Sequence, residues 1–183
     1  MSLGNTKSSY GWIAIGLHWI SAAGVIALYF LGERMEDAAS RAEKLAAQQV
    51  HVSVAMLLFI FLAARIAWSA TQPSPSPLEP NRALQIIAKA VQGLFMLMIL
   101  VLLVTGPLAI WSTTRPIEIF NLMSIPSPFP VRNQGLHELM ETVHGAATKL
   151  FWPLLVLHVG GALKHVIVDR DGVMLRMLRP QRS

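Results

Sequence analysis

Residues 12–31, WIAIGLHWISAAGVIALYFL, carry no charged side chain, and a histidine interrupts the apolar run near its middle. A helix needs about 20 mostly apolar residues to cross a bilayer, and this segment has that length and composition. A cleaved secretory leader is the competing reading. Its apolar run spans only about 7–15 residues, so the segment is read as a membrane helix.

Three further windows share this character. Residues 50–69 hold only His51 and Arg65 as ionisable groups, and residues 90–111 are free of charge and include FMLMILVLLVTGPLAIW. Residues 143–168 contain Lys149 and Lys164 near their ends, where a long stem can carry its ammonium to the interface. Pro107 and Pro153 are expected to kink the third and fourth helices without ending them. Of the 183 residues, 54% are hydrophobic and 14% charged, too apolar for an ordinary soluble domain. The expected fold is all-α: a transmembrane four-helix bundle formed by one membrane-embedded domain over residues 1–183.

Lysine and arginine counts orient the bundle. The N-terminus, the link between spans two and three, and the C-terminus hold nine basic residues (Lys7, Arg65, Arg82, Lys89, Lys164, Arg170, Arg176, Arg179, Arg182) against three acidic ones; the other side holds six basic and seven acidic. Both termini are therefore expected in the cytoplasm. The basic tail DRDGVMLRMLRPQRS suits an anionic inner leaflet, so membrane lipid accounts for the net charge of +5 and no nucleic-acid partner is expected.

The connectors differ. TQPSPSPLEP, residues 71–80, reads as an extended proline-rich link. ERMEDAASRAEKLAAQQ, residues 33–49, reads as a short helix outside the membrane, and residues 112–135 as a longer irregular outer loop of a length often given to function. No internal repeat is visible.

Cysteine is absent, which removes disulfides, thiolate-held iron–sulfur clusters, thioether-attached haem and cysteine nucleophiles. No phosphate-binding glycine loop, GxSxG elbow or HExxH pair occurs. Histidine is left to carry any chemistry, and His18, His51, His137, His144, His158 and His165 all lie in or beside the spans. One such residue could simply bond across to another helix. The set, however, has a pattern. At 100° and 1.5 Å per residue, His144 and His158 are separated by about 21 Å of rise and about 40° of rotation, one face at two depths. His18 lies at the depth of His158, and His51 at that of His144. Two facing pairs follow, His18 with His158 and His51 with His144.

A zinc site wants four ligands in a compact tetrahedron, whereas two imidazoles facing each other in a dry bundle suit a bis-histidine haem b. Short side chains beside each ligand would admit a flat macrocycle: Ser21-Ala22-Ala23-Gly24, Ser53 and Ala55, Gly145-Ala146-Ala147, and Gly160-Gly161-Ala162. Small residues also serve plain helix packing.

Over nearly its whole length the chain resembles the bacterial cytochrome b561 family. The likeness rests on Tyr10 ahead of LHW at His18-Trp19, and on His51 followed by Arg65 and a proline-rich link. It continues through TGPL in the third span, RPIEIFNLMSIP in the outer loop, and His144, His158 and His165 with the ending ALKHVIVDRDGVMLRML. The resemblance implies a multi-pass inner-membrane protein of an electron-transport chain, with two b haems on the pairs His18/His158 and His51/His144 and electron exchange with the quinone pool, ubiquinone included. Some relatives are thought to oxidise superoxide at the outer face, for which Arg115 and Arg132 would attract the anion. An alternative is an anchor subunit that conducts electrons for a separate dehydrogenase or hydrogenase. A haem-free carrier that uses the histidines for protons or metal ions stands as a further rival. Arg65, 14 residues after His51 and near the depth of His18 and His158, is placed either to neutralise a haem propionate or to serve as a plain positive-inside anchor. His165 is placed to serve a quinone headgroup, against the alternative of a solvated histidine at the helix end, and His137 reads as a surface residue. The chain departs from the family at Ala55, where glycine is common, and at Lys89 and Gln92, where the third helix often carries histidine.

Overall fold

A computed structural model describes residues 2–180; Arg182, counted above with the basic tail, lies outside them. Four helical rods are long and apolar enough to cross a membrane. They comprise α1 (Trp12–Glu36), α2 (Arg41–Thr71), α3 (Arg82–Trp111), and a fourth rod of α4 (Gln134–Lys149), α5 (Phe151–Lys164) and a π-turn at His165–Asp169. A short α6 (Val173–Arg176) closes the described chain.

The helices outrun the apolar windows that announced them. α2, α3 and α4 begin about eight or nine residues before positions 50, 90 and 143. Charge marks where a helix leaves the bilayer, whereas a helix ends where its backbone is capped. Ser40 accepts from the Glu43 N–H, Asn81 from those of Ala83 and Leu84, and Asn133 from that of Leu136. The expected outer helix over 33–49 is thereby divided, its first four residues ending α1 and its last nine opening α2.

Proline acts differently in its two settings. Pro107 sits inside an unbroken α3. Pro153 lies at the third position of α5, where its missing N–H withdraws a bond from the carbonyl of Lys149, and α4 ends there.

Between α3 and α4 an antiparallel hairpin, β1 (Ile117–Ile119) and β2 (Met123–Ile125), stands where only an irregular loop was expected. Phe120 and Asn121 at its turn adopt positive φ, an uncommon conformation for a bulky residue such as Phe. Ser53 of α2, fully buried, holds it there: its hydroxyl accepts from the Phe120 N–H at 2.9 Å and donates to the Glu118 carbonyl at 3.4 Å. Gln49 donates to the same carbonyl at 2.9 Å.

The opposite end of the bundle gathers both chain ends and the proline-rich link. The Ser76 N–H donates to the Lys7 carbonyl, Arg176 donates to the Ser76 carbonyl, and the Trp19 indole N–H donates to the Met177 carbonyl at 2.7 Å. Between the two ends lies a core of Leu62, Val91, Met98, Ile99, Ala147, Phe151 and Leu154. α1 and α2 approach closely where Gly24 meets Leu58; a Cβ at Gly24 would lie 2.7 Å from a Leu58 methyl.

Replacing Ser53 by Ala removes the one side chain among the described residues that satisfies the part-buried Phe120 N–H. Leaving such a donor unpaired costs about 1–3 kcal/mol, so amide exchange at Phe120 should speed by roughly 10-fold to 100-fold while exchange in the α3 core is unchanged. Hydrogen exchange read by mass spectrometry checks this.

Candidate cofactor site

Each paired histidine lies within a helix, so every ring is carried on a rigid rod and enters the interior at a depth set by its place in the chain. His18, early in α1, faces His158, late in α5, with ring centres 6.0 Å apart and planes at 50°. His51 on α2 faces His144 on α4 across 6.5 Å at 73°. The first pair lies toward the end that carries both termini, the second toward the hairpin.

Around His51 and His144 a cavity of about 120 Å³ is lined by apolar side chains, among them Ala55, Leu62, Met98, Gly106, Ile117 and Phe151. Ile117 of the hairpin, 1% exposed, closes its outer side. The His144 ring lies against α3 at Gly106, and the His51 ring against α1 at Gly32. His144 Nδ1 is 3.0 Å from the Thr105 hydroxyl. His51 Nδ1 is buried with no hydrogen bond of good geometry, although the Leu28 carbonyl lies near enough to interact with it.

At the other pair, Trp19 packs edge-on against His18 at 5.1 Å, and Phe95 edge-on against His158 at 5.5 Å. The Arg65 guanidinium lies within electrostatic reach of both rings and of Tyr10. Among the described residues it has no carboxylate partner.

His165 belongs to a separate polar cluster. Its Nδ1–H donates to Asp171 at 2.6 Å and lies 3.2 Å from Asp169, and Lys164 bonds both Asp169 and Glu79 at 2.6 Å. The group Glu79, His165 and Asp169 has the compactness of a cation site, but the Lys164 ammonium already bridges its two carboxylates. The Lys164 bond and the Asn81 N–H hold the Glu79 carboxyl below the usual carboxylate range. At Asp171 burial is the largest influence and pushes upward, yet the Val173 N–H and the His165 ring outweigh it and the carboxyl ends below its ordinary value.

Membrane-length helices carrying two facing imidazole pairs define the class, an integral membrane protein with histidine sites buried among its helices. The chain matches the prokaryotic cytochrome b561 family over residues 9–180 and belongs to it. It is similar to cytochrome b561 homolog 2 of Escherichia coli (strain K12), 28% identical over 97% of this chain and 95% of that one. Cytochrome b561 homolog 1 of the same organism is 23% identical over 92% and 96% respectively. Membership implies haem b as cofactor and electron transfer as the work.

The residues fit that group. Two metal–imidazole bonds of about 2 Å, plus roughly 1 Å from each nitrogen to its ring centre, come to about 6 Å, and the observed separations of 6.0 and 6.5 Å lie at or just above that. A Cβ added at Gly145, Gly160 or Gly161, each within three residues of a paired histidine, would meet nothing within 4 Å. No third ligating side chain joins either pair among the described residues, which disfavours a tetrahedral metal ion.

Some positions differ from expectation. Ala55 lines the cavity, but Ser53, read as a small neighbour of His51, serves the hairpin instead, because residues two apart on a helix face opposite ways. His137 is no surface residue: its side chain is 16% exposed and its Nδ1–H donates to the Ala109 carbonyl at 2.8 Å, tying α4 to the end of α3. Lys89 lies with Arg82 and Gln85 in a shallow cleft at the start of α3, apart from both pairs. Thr105 was passed over; the available signal was a lone hydroxyl between Val104 and Gly106 in a charge-free span.

The lowered carboxyls of Glu79 and Asp171 stabilise the folded chain above the ordinary carboxylate range, a contribution lost as pH falls through their folded values. Exchange protection of the backbone at 173–179 should therefore hold from pH 7 to 5 and collapse only below about pH 4. A pH series of exchange measurements checks it.

Proposed function

We propose that this protein is a di-haem b cytochrome that carries electrons across a membrane and exchanges them with the quinone pool. The observation that carries the reading is the pair of histidine contacts, one toward each end of a single bundle. In this reading His18 and His158 hold one haem b and His51 and His144 the other, and each haem supplies a one-electron couple. The excess of lysine and arginine at the end bearing both termini supports a cytoplasmic location for that end and, in a bacterium, an inner-membrane setting.

The chain's own residues shape both sites. Apolar side chains exclude water, which keeps each imidazole neutral and able to bind metal through a nitrogen lone pair. Arg65, a half-buried cation with no acidic partner among the described residues, is positioned to offset the negative charge of a propionate beside His18 and His158. Asp171 fixes the His165 ring through Nδ1, and Nε2 makes no hydrogen bond among the described residues. That nitrogen can hold or pass a proton at a quinone oxygen near the cytoplasmic surface. Arg115 and Arg132 lie in the connection between α3 and α4, on the side where an anionic donor such as superoxide would arrive.

A dithionite-reduced minus oxidised spectrum with haem quantification tests the reading directly. Two haems per chain are expected, one of them lost in His158→Ala and none in His165→Ala, which should instead slow the reaction with quinol by about 10-fold or more. Both haems surviving in His158→Ala would sink the pairing. A flavin or iron–sulfur signal that co-purifies with the chain would favour an anchor subunit of a larger oxidoreductase.

A further inference from the structure

Thr105 lies in α3 six residues before its hairpin-side end, 4% exposed, and hydrogen-bonds a histidine of the hairpin-side pair. Its hydroxyl oxygen is 2.8 Å from the carbonyl of Val101 and 3.0 Å from Nδ1 of His144. A hydroxyl has one proton to give and two lone pairs with which to accept. The carbonyl can only accept, and two oxygens at 2.8 Å without a proton between them would repel. The Thr105 proton therefore lies toward Val101, and at His144 the hydroxyl accepts. Nδ1 must carry the hydrogen, and the lone pair of the neutral ring is then on Nε2.

The neighbouring residues hold this arrangement in place. A Cβ at Gly106 would stand 3.5 Å from Cε1 and 3.8 Å from Nδ1 of His144, so the ring lies next to α3 with room for little more than a methyl group between them. Gly106 and Pro107 line the same cavity. None of the other three paired histidines is held by a side-chain hydroxyl among the described residues; His51 Nδ1 makes no hydrogen bond of good geometry and has the Leu28 carbonyl near it. The hairpin-side pair is thus chemically unequal, one ring held by a side-chain hydroxyl and one not.

We propose that Thr105 is a positioning residue: it fixes His144 in the Nδ1–H tautomer, prevents the ring from turning over, and so dedicates Nε2 to the iron. It also sets the reduction potential of that haem apart from the other. A hydrogen bond accepted from the far side of a ligating imidazole makes the ring a stronger donor, which favours the oxidised metal and lowers the potential. Loss of such a partner typically costs 10-fold to 100-fold in affinity. The proposal rests on the haem reading above.

The test uses purified full-length protein in detergent and compares wild type with Thr105→Val, Thr105→Ser and His144→Ala. Valine keeps the shape and removes the hydroxyl; serine keeps the hydroxyl and removes the methyl. In Thr105→Val one haem should be held about 10-fold to 100-fold more weakly and titrate at a higher potential, while the haem of His18 and His158 stays unmoved and reports that the bundle is folded. Thr105→Ser should match wild type in both respects. Unchanged affinity and potentials in Thr105→Val, or the same shift in Thr105→Ser as in Thr105→Val, would overturn the proposal. Should Thr105→Val lose both haems, the serine variant decides alone. His144→Ala separates the two readings: if it keeps both haems, the assignment of His144 as a ligand has failed, whatever Thr105 does.

Discussion

Hydrocarbon gives a polar group nothing to bond, and that constraint organises the whole molecule. A helix satisfies its own backbone, so four rods can cross; every polar side chain on them must then find a partner inside the bundle or reach the surface. Thr105 bonds its own helix and His144, Ser53 bonds the hairpin, and Lys164 reaches the carboxylates at the end of its rod. Among the described residues His51 Nδ1, the Ser21 hydroxyl and the Trp68 and Trp111 indole nitrogens are buried without a hydrogen bond of good geometry, and Arg65 has no carboxylate partner. Metal-binding nitrogens and a cation that awaits an anion are what a haem with its propionates would complete.

The two ends of the bundle are closed by different means. At the hairpin end a short antiparallel pair is clamped to α2 by Ser53 and Gln49, and Ile117 seals the cavity around His51 and His144. At the end carrying the termini, closure comes from chain ends: the N-terminal segment, the proline-rich link and the tail are bonded to one another and to Trp19, next to His18. Between them the stacked Tyr29 and Phe151 rings, 5.2 Å apart, join the Leu62, Met98 and Leu154 core to fill the interval with apolar matter. That filling holds the two pairs apart at different depths and keeps water from linking them.

The parts legible in the sequence were those that follow from one-dimensional arithmetic. Charge-poor windows announced four spans, and the 14-residue step from His144 to His158 placed one histidine on each level, so the matching depths of His18 and His51 followed. The structure brings those same side chains face to face. Helix ends were less legible, because Ser40, Asn81 and Asn133 stop the backbone eight or nine residues beyond the apolar boundary. The hairpin was not legible at all. Its strands are three residues each, and its stability comes from Ser53, 67 residues away from Phe120 in sequence. His137 misled for the same reason: its partner is the carbonyl of Ala109, on another helix.

Thr105 shows why such contacts escape a reading by periodicity. A hydroxyl in an apolar span can always return its proton to the carbonyl four residues back, and by that measure it is already satisfied. What gives it consequence is the second lone pair, and only the neighbouring helix decides whether anything comes to use it. Here α4 brings His144 to that lone pair, so a residue that is locally ordinary determines which nitrogen of a distant ring is free. The ligands of a buried site can be found from their own chemistry; the residues that orient them become visible only once the helices are packed.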